Sequence, residues 1–130
     1  MAVKLRENAV TKLATVTGID ATAIAATTLF VVPAGKTLVV TQVVIRCTTY
    51  TVVVKTTQAV ASFGGNASTY DDYLNSVTYT IAAADVAIHD SVLDAAVPVY
   101  AAGAAFTLAI ETGSDATAEV WAVDLLGYLV

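Results

Sequence analysis

An all-β fold, a sandwich or barrel of about eight short strands, is what this sequence predicts, and three observations predict it. Valine and threonine dominate the chain, and these β-branched residues lose side-chain freedom in helices while packing well on a pleated surface. Turn signals cut the chain into runs of about 5 to 10 residues. Within several of those runs apolar and polar residues alternate with period two. At 130 residues the length suits one domain.

The first 21 residues stand apart. They hold Lys4, Arg6 and Lys12, half of the six basic groups, and no aromatic residue. They read as an N-terminal arm, with a short helix over 3–14 as the other option. The sandwich then spans residues 22–130, with strands expected at 22–32, 37–46, 48–57, 58–63, 76–82, 86–92, 96–101, 105–112 and 117–129. In "LFVVPAGKTLVV" Pro33 presets φ, Gly35 permits a positive φ and Lys36 keeps the tip wet, which is hairpin chemistry. The next run, "TLVVTQVVIRC", puts Val39, Val43, Ile45 and Cys47 on one face, yet Leu38, Val40 and Val44 fall on the other beside Gln42 and Arg46. A strand apolar on both faces predicts a covering loop or a subunit interface. Cys47, the lone cysteine, reads as a small buried hydrophobe. Further along, Val77, Tyr79 and Ile81 oppose Thr78 and Thr80, and Phe106, Leu108 and Ile110 oppose Thr107, Ala109 and Glu111. Trp121 alternates with Glu119, Val123 and Leu125, a core or interface position.

Composition narrows the partners. Hydrophobic residues make up 57% and charged residues 13%, against a globular norm of about 25% charged. Either the surface is rich in Thr, Ser and Ala, or part of it is buried against other chains. Membrane association is not expected, because no apolar run nears the roughly 18 residues of a transmembrane helix, and the N-terminal stretch lacks the apolar segment of a secretory signal. All six basic residues lie within the first 55, with Glu7 and Asp20, whereas nine acids and no Lys or Arg follow, so the charge is +4 in front and −9 behind. A nucleic-acid binder needs a basic face, and none can be built after Lys55. The asymmetry implies either interleaved strands whose charges average out, or a bipolar subunit whose basic front meets an acidic neighbour.

Chemistry-bearing constellations are sparse. His89 is the only histidine; a triad with Asp90 and Ser91 or Ser62 lacks a nucleophile elbow, so no catalytic residue is assigned and the chain is read as no enzyme. Zinc lacks ligands. Asp71, Asp72, Asp85, Asp90, Asp94 and Asp115 sit in or near loops, without the spacing of a calcium loop, and read as turn aspartates rather than a metal site. Gly64-Gly65 lacks the spacing of a phosphate loop, and no cofactor is implied. The longest non-strand stretch, "FGGNASTYDDYLNS" at 63–76, contains a formal glycosylation sequon at Asn66. It also carries Tyr70, Asp71, Asp72 and Tyr73, a candidate ligand loop, since long loops in compact domains tend to be functional.

The segments "TTLFVVPAGKTLVVTQVVIR" and "PVYAAGAAFTLAIETGSDATAEVWAVDLLGYLV" share an apolar strand into P-A-G-K, a later A-G-x-x-[FL]-T-L turn and a last strand ending in G-Y-L-V. Over residues 22–130 this pattern resembles small jelly-roll virion proteins of tailed bacteriophages, in particular capsid decoration (cement) proteins and head-fibre or tail-fibre modules. The resemblance implies a jelly-roll-like antiparallel β-sandwich and a non-enzymatic structural protein. It further implies a homo-oligomer, with a trimer favoured, seated on the capsid surface of a virion against the major capsid protein or another virion protein. Lys4, Arg6 and Lys12 are then expected at the capsid or a neighbour, and Leu38, Val40, Val44, Tyr128 and Val130 at the oligomer interface. The alternative is a carbohydrate- or receptor-binding module of fibre or adhesin type, working through Tyr70, Asp71, Asp72 and Tyr73.

Overall fold

A computed structural model describes residues 10–92 and 96–130 of the chain, and among these it contains nine strands and no helix. They are β1 (Thr11–Asp20), β2 (Ala25–Val31), β3 (Thr37–Thr51), β4 (Ala59–Gly64), β5 (Leu74–Tyr79), β6 (Ala87–Asp90), β7 (Tyr100–Ala101), β8 (Ala105–Thr112) and β9 (Ala118–Leu129). Two antiparallel sheets form the expected sandwich. One runs β1-β9-β3-β6, with β7 also on β3; the other runs β2-β8-β4-β5. The pairings nest, first strand on last, β2 on β8, β3 on β7 and β4 on β5. That wrapping of one long folded ribbon is consistent with a jelly-roll-like sandwich.

The core lies between the sheets and is aromatic at its centre. Tyr79 meets both Phe63 and Trp121 edge to face, at ring-centroid distances of 6.3 and 5.8 Å. A second group sets Phe106 against Tyr73 and Tyr100, at 5.7 and 5.3 Å. Such pairs add about 0.5–1.5 kcal/mol each beyond the apolar area they bury. The alternating runs behave as their periodicity requires. Phe106, Leu108 and Ile110 are buried together, as are Tyr79 with Ile81, and Glu119 with Trp121, Val123 and Leu125. Cys47 is buried as well, and burial pushes its thiol pKa up.

Three sequence expectations change. Residues 11–20 form a strand where an arm or helix was expected, pairing with β9 through two register shifts, at Lys12/Ala14 and Val16/Ile19. Each inserts one extra residue, so the apolar side chains Leu13, Val16 and Ile19 recur every third position, a spacing that imitates a helix. The Pro33–Lys36 turn is closed by Lys36 N–H donating to the Pro33 carbonyl at 3.2 Å, with Gly35 at φ 73°. It is no hairpin, because β2 and β3 belong to different sheets and the turn arches between them. The two-faced pattern of β3 has an internal cause. A bulge between Val40 and Gln42 reverses the facing, so Leu38 and Val40 point into the core before it and Val43, Ile45 and Cys47 after it. Leu38 and Val40 are therefore interior residues of the chain itself.

Candidate interaction surfaces

The outer face of the β1-β9-β3-β6 sheet carries the remaining interface candidates. Val44 is covered within the chain and lies opposite Asp124 on one side and His89 on the other. Asp124 accepts from Thr15 Oγ1 at 2.7 Å and pairs with Arg46 at 3.1 Å. Burial alone would raise the Asp124 pKa, but the hydrogen bonds from Thr15 and Arg46 and the charges of Arg46 and Lys12 outweigh it and hold the carboxyl below its usual range. Lys12 of β1 and Arg46 of β3 thus flank Asp124 of β9, so opposite charges from the two halves of the sequence meet on neighbouring strands. Lys12 is exposed on β1; Lys4 and Arg6 lie outside the described residues.

Toward the other end of the same face, Tyr128 pairs with Val39 and both are half-buried. Val10 precedes Thr11, the partner of Gly127, and Val99 precedes Tyr100, the partner of Leu38; they continue this row on either side and are 57% and 60% exposed. Val130, half-exposed, is tied to Thr37 by mutual backbone hydrogen bonds at 2.8 and 2.9 Å. Sequence reasoning named Tyr128 and Val130 of this outer row and did not name Val10, Val39 and Val99, whose facing depends on the bulge and on pairings between distant strands. It also ran a strand through Val52, Val53 and Val54. Strand β3 ends at Thr51, and these valines are exposed, Val53 by 89%.

The candidate ligand loop divides. Tyr73 is buried against Phe106. Asp72 accepts from the Tyr100 hydroxyl at 3.0 Å and from Gly65 N–H at 2.9 Å. The Gly65 backbone presses on the Tyr100 ring so closely that a β-carbon would collide with it. These two residues fasten the loop to the sandwich. Tyr70 and Asp71 instead line an open groove of about 450 Å³ on the outer face of the β2-β8-β4-β5 sheet. Its far wall is Ile24, Ala25 and Ala26, and its floor includes Asn75, Ser76, Ala109 and Glu111. Asp71 accepts from Asn66 Nδ2 at 2.6 Å and Thr69 Oγ1 at 2.9 Å, which holds its pKa below the usual range. Glu111 accepts from the buried Ser62 hydroxyl and, at 2.7 Å, from that of Ser76. The groove residues outside the loop escaped sequence reasoning because Ile24–Ala26 and Ala109–Glu111 lie far from it in sequence.

The other sequence candidates separate in space. His89 and Asp90 point to opposite faces of β6: His89 is exposed beside Gln42, while Asp90 accepts from the Tyr79 hydroxyl at 2.9 Å. Ser62, in the opposite sheet, is bonded to Glu111, so the triad does not assemble. Asp115 accepts from the Thr56 and Thr57 backbone and the Thr56 hydroxyl, and these bonds lower its pKa. Among the described residues no group of three or more His, Cys, Asp or Glu is placed to hold a metal ion; Asp94 lies outside them.

No protein-family model matches the chain, and no curated protein does. Among solved structures, the fold is similar to a chain of the "Cyanophage Pam1 capsid asymmetric unit". That similarity has a TM-score of 0.52 at 14% sequence identity and covers 93% of this chain and 85% of that one.

Proposed function

We propose that this chain is a non-enzymatic structural protein of a phage virion, a capsid decoration or cement protein that oligomerises on the capsid surface, with a trimer favoured. The observation that carries the reading is the similarity of fold, over nearly the whole chain, to a chain from a cyanophage capsid. The outer row Val10, Tyr128, Val39 and Val99, with Val130 beside it, suits a second copy of the chain. It leaves large apolar side chains in water on a chain with few charges, and obligate interfaces resemble a domain core cut in half. Lys12, with Lys4 and Arg6 in the preceding segment, supplies cations for an acidic capsid or neighbouring subunit.

Light scattering tests the oligomer. The expected mass is a multiple of the 13.3 kDa chain, returning to the monomer when Val10→Asp and Val99→Asp are combined. A strict monomer at micromolar concentration overturns the oligomeric reading. Co-sedimentation with capsids of the encoding phage tests the partner, and Lys4→Glu, Arg6→Glu and Lys12→Glu together are expected to release the protein. Wild-type protein that stays in the supernatant overturns the decoration role.

A further inference from the structure

We propose that the groove between Ile24–Ala26 and Ser68–Asp71 is a saccharide site for an uncharged hexose or N-acetylhexosamine at the end of a glycan. This goes beyond a structural role on the virion and does not depend on it. The groove volume of about 450 Å³ lies within the range of small-ligand sites, about 300–1,000 Å³. Its walls pair apolar surface with unspent polar groups, as a sugar's two-sided chemistry requires. Ile24, 74% exposed, and the Tyr70 ring offer apolar faces, and Ala25, Ala26 and Ala109 leave room for a ring or an acetamido methyl. The Ser68 and Tyr70 hydroxyls and one Asp71 oxygen have no partner among the described residues. The Asn75 carbonyl oxygen lies 3.0 Å from Ser76 Oγ, which leaves the Asn75 amide N–H groups to donate.

Charge selects the sugar. Asp71 and Glu111 line the groove and no Lys or Arg does, so sialic acid, uronic acids and phosphates are repelled while neutral hydroxyls find acceptors. Glu111 acts as a positioning residue, since Ser62 and Ser76 occupy its two oxygens. The backbone supports the assignment: of the four non-glycine residues with positive φ among the described residues, Ser68, Tyr70 and Ser76 line this groove. Strain of this kind, about 1–3 kcal/mol per residue, persists where the surrounding structure enforces it, and it clusters at ligand sites.

Amide-resolved NMR titration with the methyl glycosides of glucose, galactose and mannose, with N-acetylglucosamine and N-acetylgalactosamine, and with sialic acid as the anionic control tests the site. At least one uncharged sugar is expected to bind with millimolar affinity and to shift residues 24–26, 68–71, 75–76 and 109–111, and sialic acid is expected to shift none. Tyr70→Asn removes the ring but tolerates the left-handed backbone, and Ile24→Ser alters an exposed side chain. Each is expected to weaken binding by roughly tenfold, about 1.4 kcal/mol. The proposal is overturned if no uncharged sugar shifts these residues, if the shifts map elsewhere, or if both variants bind like the wild type. Light scattering reports the oligomeric reading independently.

Discussion

Lys55 Nζ donates to Glu119 Oε2 at 2.8 Å, with side-chain exposures of 6% and 0%, so the two halves of the chain are joined by a buried ion pair. Every strong partner around it is engaged. Lys55 also donates to the Ile81 carbonyl at 2.8 Å and lies 5.2 Å from the centre of the Tyr50 ring, while Trp121 Nε1 donates to Glu119 Oε1 at 3.0 Å. Removing one member strands a charge in the core. Lys55→Met or Glu119→Leu alone is expected to cost about 3–5 kcal/mol in urea unfolding, while the double variant recovers much of that loss. Single variants with near wild-type stability would show that water reaches the pair.

Gly127 backs directly onto the Val39 carbonyl, and a β-carbon at that position would overlap backbone that cannot swing away. Gly127→Ala is expected to destabilise the fold by about 1–3 kcal/mol, measured by denaturant midpoint, because the two strands must part or twist to admit it. Gly103→Ala is the control for positive φ without crowding, since nothing stands within 4 Å of its added carbon. Gly127 has no positive φ, so near wild-type stability in Gly127→Ala would mean that the two strands yield to the added carbon.

Burial, reinforced by the Asp90 and Asp72 carboxylates that accept their hydroxyl protons, raises the pKa of Tyr79 and Tyr100. Because the folded values exceed the unfolded value of about 10, the neutral phenols contribute fully to stability below that pH, and the contribution is lost as pH rises past it. Urea midpoints are expected to fall steeply above about pH 10, and less steeply in Tyr79→Phe, which has no proton to lose. Near-ultraviolet absorbance should show these tyrosines ionising only as the fold opens. Ionisation in the native state at an ordinary pKa would contradict their burial.

How far the sequence could be read follows from where information is local. Phe106, Leu108 and Ile110 declare their face because β8 holds period two without interruption over them. In β1, two inserted residues turn period two into a spacing of three among Leu13, Val16 and Ile19, so a strand carried the signature of a helix. In β3, one inserted residue near Thr41 moves Leu38 and Val40 to the inside, and strict alternation sent them out. Bulges are set by the partner strand, here β9, which lies more than 80 residues from this bulge of β3 and more than 100 from those of β1, and no local window contains that partner. The groove was half legible: Tyr70 and Asp71 announced themselves as an aromatic beside an acid, whereas Tyr73 and Asp72, identical in kind, serve the core and the loop anchor.

The position of β9 bears on how the molecule comes into being. It is the inner strand between β1 and β3, so the residues made first in the described chain have no sheet partner until residues 118–129 exist. Synthesis from the N-terminus therefore carries a long valine-rich segment with open edges for most of its duration, and closure depends on contacts more than 100 residues apart, such as Thr15 with Asp124. Non-local pairing of this kind folds in roughly milliseconds to seconds and exposes the nascent chain to aggregation meanwhile. Yield in a heterologous host should thus be governed by translation speed and chaperone supply more than by the stability of the finished sandwich.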